Sequence, residues 1–278
     1  LTRAADILRT SWDVSGGTDG CVSLEVSPLL AADSATTIEQ GTSLFERAGR
    51  PNLMIKVPGT PESPEAIEEL IYRGININVT LLFDEAQYRR AAEAYIAGIE
   101  RRLADGLDAN VFSVASVFVS RWDTPTADLV GEDLRHRLGI ACATRCHRAC
   151  EEIFNSERWS AIASQGGHRQ KLLMASTSTK SPDLPDTCYV TALAAADSIN
   201  TIPEPTLLAF ADHGVVEGTL GPEAWAEADR VIAGFEAAGV DIDSLASQLQ
   251  QEGADAFVSS WEHLLRTIEE KIGSLAAR

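Results

Sequence analysis

Pro51–Thr60 reads PNLMIKVPGT, and the fold of this chain turns on that stretch. Leu53, Met54, Ile55 and Val57 form an apolar run around a single charge, Lys56, and Pro58 with Gly59 ends it. A short, nearly continuous apolar run of this kind reads as a strand of a parallel sheet buried on both faces, with a turn at its C-terminal end. A lysine in such a strand costs free energy unless its charge is paired or its pKa falls. A depressed pKa is what amine chemistry uses, because only the neutral amine attacks a carbonyl to form a Schiff base. The alternative is a lysine snorkelling out of the strand end into solvent.

Working outward, further strands are expected at Cys21–Val26 (CVSLEV), Ile75–Phe83 (ININVTLLF), Val111–Val119 (VFSVASVFV), Lys171–Thr177 (KLLMAST) and Ser198–Ile202 (SINTI). Helical signals separate them. Leu1–Asp13 has apolar residues at helical spacing. Thr36 and Glu39 form a capping box for a helix to about Ala48, stopped by Gly49. Ser63 and Pro64 supply an N-cap and a first-turn proline for a helix ended by Gly74, and Asp84 caps a long one reaching about Ala104. A helical region runs from about Thr126 to Ala163, a short helix covers Tyr189–Ala195, and Pro203 and Pro205 lead a helix to about Asp212. Ala224–Ala238 and Ala254–Leu275 are the last, punctuated by Gly239 and Gly253.

Strands alternating with helices imply right-handed βαβ units and a parallel sheet. Isolated polar residues sit at the strand ends: Glu25, Lys56, Asn78, Thr80, Arg121 and Ser176. In a (β/α)8 TIM barrel such residues gather at one mouth, where active sites lie. A doubly wound sheet is the alternative, but no strand is followed by a glycine-rich phosphate fingerprint. The fold class is therefore α/β, one (β/α) barrel domain over residues 1–278, with extra C-terminal helices. With 278 residues and 45% hydrophobic content the chain can bury a sizeable core. A net charge of −18 argues against nucleic acid or an anionic membrane as partner, and no apolar run is long enough to span a bilayer. An odd number of unevenly spaced cysteines, five in all, suits a reducing, cytoplasmic compartment.

The segments VSLEV, PNLMIKVPGT, GININVTLLF, SVASVFVSRWD, MASTSTKSPD and SINTIPEPTL together resemble, in order and spacing, the transaldolases, most closely the longer type of actinobacteria. The resemblance covers nearly the whole chain. It implies a Schiff-base enzyme on a (β/α)8 barrel that moves a dihydroxyacetone unit from a ketose phosphate such as fructose 6-phosphate to erythrose 4-phosphate. No metal or organic cofactor is implied, and the partners are small sugar phosphates. It further implies that Lys56 is the Schiff-base lysine, and that Glu25 and Thr80 hold a catalytic water. By the same resemblance Asn78 contacts the dihydroxyacetone unit, and Ser116, Arg121 and Ser176 surround the substrate and its phosphate.

The chain departs from the family pattern in places. The family opens with two further strands, one bearing a catalytic aspartate and one a TTNP motif. Neither is found here, so the chain is expected to be truncated at its N-terminus, with six of the eight strands and reduced transfer activity. The motif around Glu25 is SLEVS where the family has STEVD, and Trp122 follows Arg121.

Each residue also has a plainer reading. Glu25 fits a barrel-rim carboxylate, Thr80 an ordinary strand residue, and Arg121 a surface partner of Asp123. Cys142, Cys146 and Cys150, with His147 nearby, have helical rather than zinc-site spacing and read as a small buried face. His213 reads as a partner of a helix C-terminus, and Lys180 either reaches the phosphate or is solvated. Two rival functions stand beside transfer: a lyase using the same lysine to release free dihydroxyacetone, and a non-catalytic sugar-phosphate binder. The oligomeric state is not fixed by the sequence; a homo-oligomer is compatible with it.

Overall fold

A computed structural model describes residues 1–216 and 218–276. Six parallel strands form one sheet: β1 (Val22–Glu25), β2 (Leu53–Pro58), β3 (Ile77–Leu82), β4 (Ser113–Phe118), β5 (Lys171–Ala175) and β6 (Ile199–Asn200). All six expected strands are present, in spatial order equal to sequence order, with β1 and β6 at the outer edges. Most are a residue or two shorter at each end than their apolar runs. Ser198–Ile202 shrinks furthest, to a two-residue edge strand held only by β5.

The helices before β5 are α1 (Thr2–Ser15), α2 (Ser34–Ala48), α3 (Pro64–Tyr72), α4 (Glu85–Ala104), α5 (Asp123–Thr126), α6 (Leu138–Phe154) and α7 (Glu157–Ala163). After it come α8 (Cys188–Ala192), α9 (Glu204–His213), α10 (Pro222–Ala237) and α11 (Ile242–Ala276). Several expected boundaries are corrected. The cap of α2 is Asp33, whose carboxylate accepts from the Thr36 backbone N–H at 3.0 Å, rather than a Thr36–Glu39 box. Ser63 precedes Pro64 as expected, but its hydroxyl pairs with Thr60 Oγ1 at 2.8 Å instead of capping α3. Asp84 does cap α4, accepting from the Gln87 N–H at 2.7 Å. The region Thr126–Ala163 is not one helix: α5 ends at Thr126, and α6 and α7 follow after breaks, with the Asp123 carboxylate accepting from the Gly139 N–H of α6 at 3.2 Å.

Side chains alternate across the sheet, as the pleat requires. Leu53, Ile55, Val57, Ile77, Val79, Ala115, Val117, Leu172 and Met174 pack outward in one core with the surrounding helices. Met54, Lys56, Asn78, Thr80, Ser116 and Leu173 face the concave side. The sheet is curled: residues of β1 and β6, its two edges, line the same cavity as β2 to β5. A second apolar core on the concave and upper side joins Trp12, Leu81, Phe83, Phe118 and Trp122 to α6, α10 and α11.

The long last helix is the element that the sequence placed least well. Gly253, expected to break the chain before Ala254, lies inside the 35 residues of α11. Its role is close approach: a Cβ there would sit 2.8 Å from Leu81 Cδ2 and 3.3 Å from Arg121 Nη1. Three residues earlier, buried Gln250 donates to the carbonyls of Gly59 at 3.0 Å and Leu81 at 2.8 Å. Leu81 is left-handed (φ 59) at a register shift of β3, which takes its carbonyl out of the ladder and leaves it to α11. Replacing Gln250 by Leu keeps the volume and removes both bonds. Each buried carbonyl left unpaired costs about 1–3 kcal/mol, so Gln250→Leu is expected to lower the urea midpoint clearly; a wild-type midpoint would show that these bonds do not hold α11.

Candidate functional site

Parallel register brings the first three site residues side by side. Glu25 pairs with Lys56 across β1 and β2, and Lys56 with Asn78 across β2 and β3. Lys56 Nζ donates to Glu25 Oε2 at 3.2 Å, and both side chains are half-buried. The lysine charge is thus met by a carboxylate rather than carried out into bulk solvent, and the snorkelling alternative does not describe it. Burial pushes the Glu25 carboxyl above its ordinary value, and the neighbouring Lys56 ammonium works against that rise.

Around this pair lies a cavity of ≈ 530 Å³ on the concave face, lined among others by Glu25, Lys56, Asn78, Thr80 and Ser116. Asn78 is held from two sides: its amide nitrogen donates to Ser23 Oγ at 3.2 Å, and Ser116 Oγ donates to its oxygen at 2.7 Å. Thr80, two residues further along β3 on the same face, is fully buried, and its hydroxyl has no hydrogen-bond partner among the described residues. Such an orphaned hydroxyl, opening on the cavity that Glu25 lines, is what a held water or a substrate hydroxyl would satisfy.

Arg121 and Ser176 lie past the strand ends, just outside that cavity. Arg121 leaves a tight turn, Ser120–Trp122, at the end of β4. Trp122 anchors this turn: it is fully buried and its indole N–H donates to the Phe83 carbonyl at 3.3 Å. Ser120 Oγ and Ser176 Oγ are 3.0 Å apart, and the Ser120 N–H donates to the Ser176 carbonyl, so the ends of β4 and β5 are stapled together. Ser176 is itself left-handed at φ 57. Arg121 stacks over Phe118, 5.4 Å from the ring centroid, and has no carboxylate partner among the described residues. The alternative pairing with Asp123 fails because Asp123 is buried, accepting from Tyr189 Oη at 2.6 Å and from the Gly139 N–H at 3.2 Å. Lys180 is exposed, yet its ammonium is held below the ordinary lysine value, by partial desolvation first and then by the like charge of Arg121.

The remaining sequence candidates are accounted for elsewhere. Cys142, Cys146 and Cys150 are buried along α6, and His147 beside them accepts from the Trp225 indole N–H at 3.2 Å. Among the described residues no group of three or more His, Cys, Asp or Glu is placed to hold a metal. His213 does end α9, bracketed by Asp212 and Asp186. The sequence also missed residues. Ser23 shares the period-two face of Glu25, a signal that VSLEV does carry. Phe257 lies on α11, far along the chain, with its ring 5.5 Å from the Lys56 ammonium, and no strand-end pattern could point to it. Cys21, Asp19, Arg169 and Lys171 line the far end of the cavity; burial pushes the Cys21 thiol up to about 11, so it is a poor nucleophile.

The Glu25 shift sets a pH dependence. Because its folded pKa is raised, the folded state binds the proton more tightly, and this contribution is present below the ordinary value of 4.5 and lost as pH rises through the folded value. Wild type should therefore lose stability relative to Glu25→Gln as pH is raised from about that of the free glutamate. Urea denaturation of both across that range checks it; a constant difference would mean that Glu25 titrates as it does in the unfolded chain.

Comparison with known proteins agrees with this geometry. Residues 1–268 match the family described as Transaldolase/Fructose-6-phosphate aldolase. A transaldolase of Saccharopolyspora erythraea is 42% identical over 278 residues, covering 98% of this chain and 75% of that protein. Transaldolases of a Parafrankia species and of Thermobifida fusca are 43% and 40% identical, with 99% and 98% of this chain covered and 76% of each relative. The chain spans about three quarters of the length of these relatives. It belongs to the transaldolase/fructose-6-phosphate aldolase family.

Proposed function

We propose that this chain carries out transaldolase chemistry: transfer of a dihydroxyacetone unit from a ketose phosphate, such as fructose 6-phosphate or sedoheptulose 7-phosphate, to an aldose phosphate, such as erythrose 4-phosphate or glyceraldehyde 3-phosphate. The observation that carries it is the Lys56–Glu25 pair, 3.2 Å apart at the C-terminal ends of parallel strands in a cavity large enough for a sugar. The Lys56 amine, once it has lost its proton, attacks the C2 carbonyl, and loss of the carbinolamine hydroxyl as water leaves a protonated imine. That imine draws in the electron pair when the C3–C4 bond breaks and the C4 hydroxyl gives up its proton. The resulting three-carbon carbanion adds to the acceptor aldehyde, and water then frees the product from Lys56.

Glu25 and the orphaned Thr80 hydroxyl both line this cavity, which supports a water between them as the relay for these protons. Asn78, fixed by Ser23 and Ser116, supports a role in orienting the hydroxyls of the dihydroxyacetone unit, with Ser116 beside it. Arg121 supplies an unpaired guanidinium for the phosphate, next to the Ser176 hydroxyl, and the neighbouring Lys180 adds to the positive potential there. The imine itself is the electron sink, so this mechanism asks for no metal or organic cofactor. The same reading takes these six strands as part of a (β/α)8-type barrel in one domain, which the curl of the sheet supports. Five unpaired cysteines support a reducing compartment such as the cytoplasm, and no described helix is long and apolar enough to cross a membrane.

Borohydride added with fructose 6-phosphate is expected to leave a stable adduct of dihydroxyacetone mass on Lys56. An adduct on Lys171, the other lysine of the cavity, would remove Lys56 from this role. Arg121→Ala should weaken phosphorylated substrates by about 1.5–3 kcal/mol, the worth of a charge-assisted bond, while leaving free dihydroxyacetone nearly unaffected. Equal loss on both would make Arg121 a structural residue. Transfer with added acceptor, compared with release of free dihydroxyacetone without it, separates a transferase from a lyase.

A further inference from the structure

We infer that Phe257, on α11, is a residue of the reaction centre whose ring covers the imine nitrogen and slows its hydrolysis, so that the covalently held dihydroxyacetone unit outlasts the wait for the acceptor aldehyde. This rests on the Schiff-base role of Lys56 proposed above.

Lys56 Nζ lies over the Phe257 ring, 5.5 Å from its centroid. That distance is within the range of a cation–π contact, and the protonated imine is a cation at the same atom. The ring packs edge-on against Phe118, with centroids 6.4 Å apart. The helix that carries it is fixed over the strand ends by Gln250, which bonds the Gly59 and Leu81 carbonyls, and by Gly253, whose missing side chain permits the approach. The gap left between Phe257, Ala254 and the Glu25 end of β1 is ≈ 10 Å³. A void of that size holds one water at most. Phe257 and Glu25, the carboxylate that meets Lys56, thus leave no further room for water between them, while the ≈ 530 Å³ cavity that Lys56 lines takes the sugar.

Hydrolysis of the imine is a balanced, non-redox step. Water adds to C2 of the protonated imine and one of its protons passes to nitrogen; the C2–N bond then breaks as the C2 hydroxyl gives up its proton, taken by the departing amine, and the carbonyl reforms. Free dihydroxyacetone and the Lys56 ammonium result. An apolar ring over the nitrogen keeps additional water from C2 and removes the solvation that a departing amine would gain. Its contact with the cation stabilises the imine itself.

The test follows the lifetime of the imine with dihydroxyacetone alone, which needs no acceptor. The complex is formed, diluted, and quenched with borohydride at intervals, and the adduct on Lys56 is counted by mass. Phe257→Ala is expected to release dihydroxyacetone on the order of tenfold faster than wild type. Phe257→Leu, which keeps apolar bulk without a ring, should fall between the two and guards against poor folding of the alanine variant. A residue needed only for folding would lower the amount of adduct formed but not its rate of release. Release at the wild-type rate from both variants overturns the proposal while leaving Lys56 as the imine-forming residue. Absence of any Lys56 adduct in wild type would instead overturn the Schiff-base reading, and this proposal with it.

Discussion

The Lys56 ammonium stands beside the Glu25 carboxylate because β1 and β2 run parallel in a register that makes the two residues lateral neighbours. Removing either member of this half-buried pair would leave the other charge uncompensated. The pair adds little to stability by itself. Its value is positional: it keeps an amine, a carboxylate and, one strand further on, the Asn78 amide at one level of the sheet. The cavity is organised around that row. Shifting β2 by one residue would turn Lys56 into the outer core and Ile55 into the cavity.

The two faces of the sheet divide the labour between stability and chemistry. The outer face is filled by apolar side chains packed against α2, α3, α4, α6 and α7. The concave face carries the hydroxyls, amide and charges. Several of these are held by another side chain: Asn78 by Ser23 and Ser116, Glu25 by Lys56, and Ser176 by Ser120. A polar network satisfied in this way is rigid before any substrate arrives, which is the condition for orienting reacting groups without reorganisation.

Above the strand ends, α11 joins the site to the rest of the fold. Backbone strain at Leu81, the Gln250 amide and the absent side chain of Gly253 are three parts of one contact. The contact sets how close the helix comes to Lys56 and to Arg121, the cations of the proposed imine and phosphate sites. Trp122 does the same for Arg121 from the β4 side, by fastening its turn to the Phe83 carbonyl. The guanidinium is left without a carboxylate because Asp123, the nearest in sequence, is turned inward to Tyr189 and Gly139.

The sequence by itself determined the parallel α/β sheet, the order of its strands and the polar strand residues Glu25, Lys56, Asn78 and Thr80, whereas Ser116 was pointed to only by the family resemblance. The former follow from local signals: an apolar run tells of burial on both faces, and a lone polar residue within it must meet a partner, so the pattern and the chemistry are written in the same few residues. Capping and helix breaks were less legible. Asp33, rather than Thr36, caps α2, and Gly253 lies within α11, because a polar or small residue suits several local uses and the packing selects one. Only the tertiary structure decided that Asp123 turns away from Arg121, that Ser23 steadies Asn78, and that Phe257 stands over Lys56. Those contacts join residues far apart in the chain, and their distances depend on how a curled sheet and a crossing helix meet, which no periodicity along the sequence encodes.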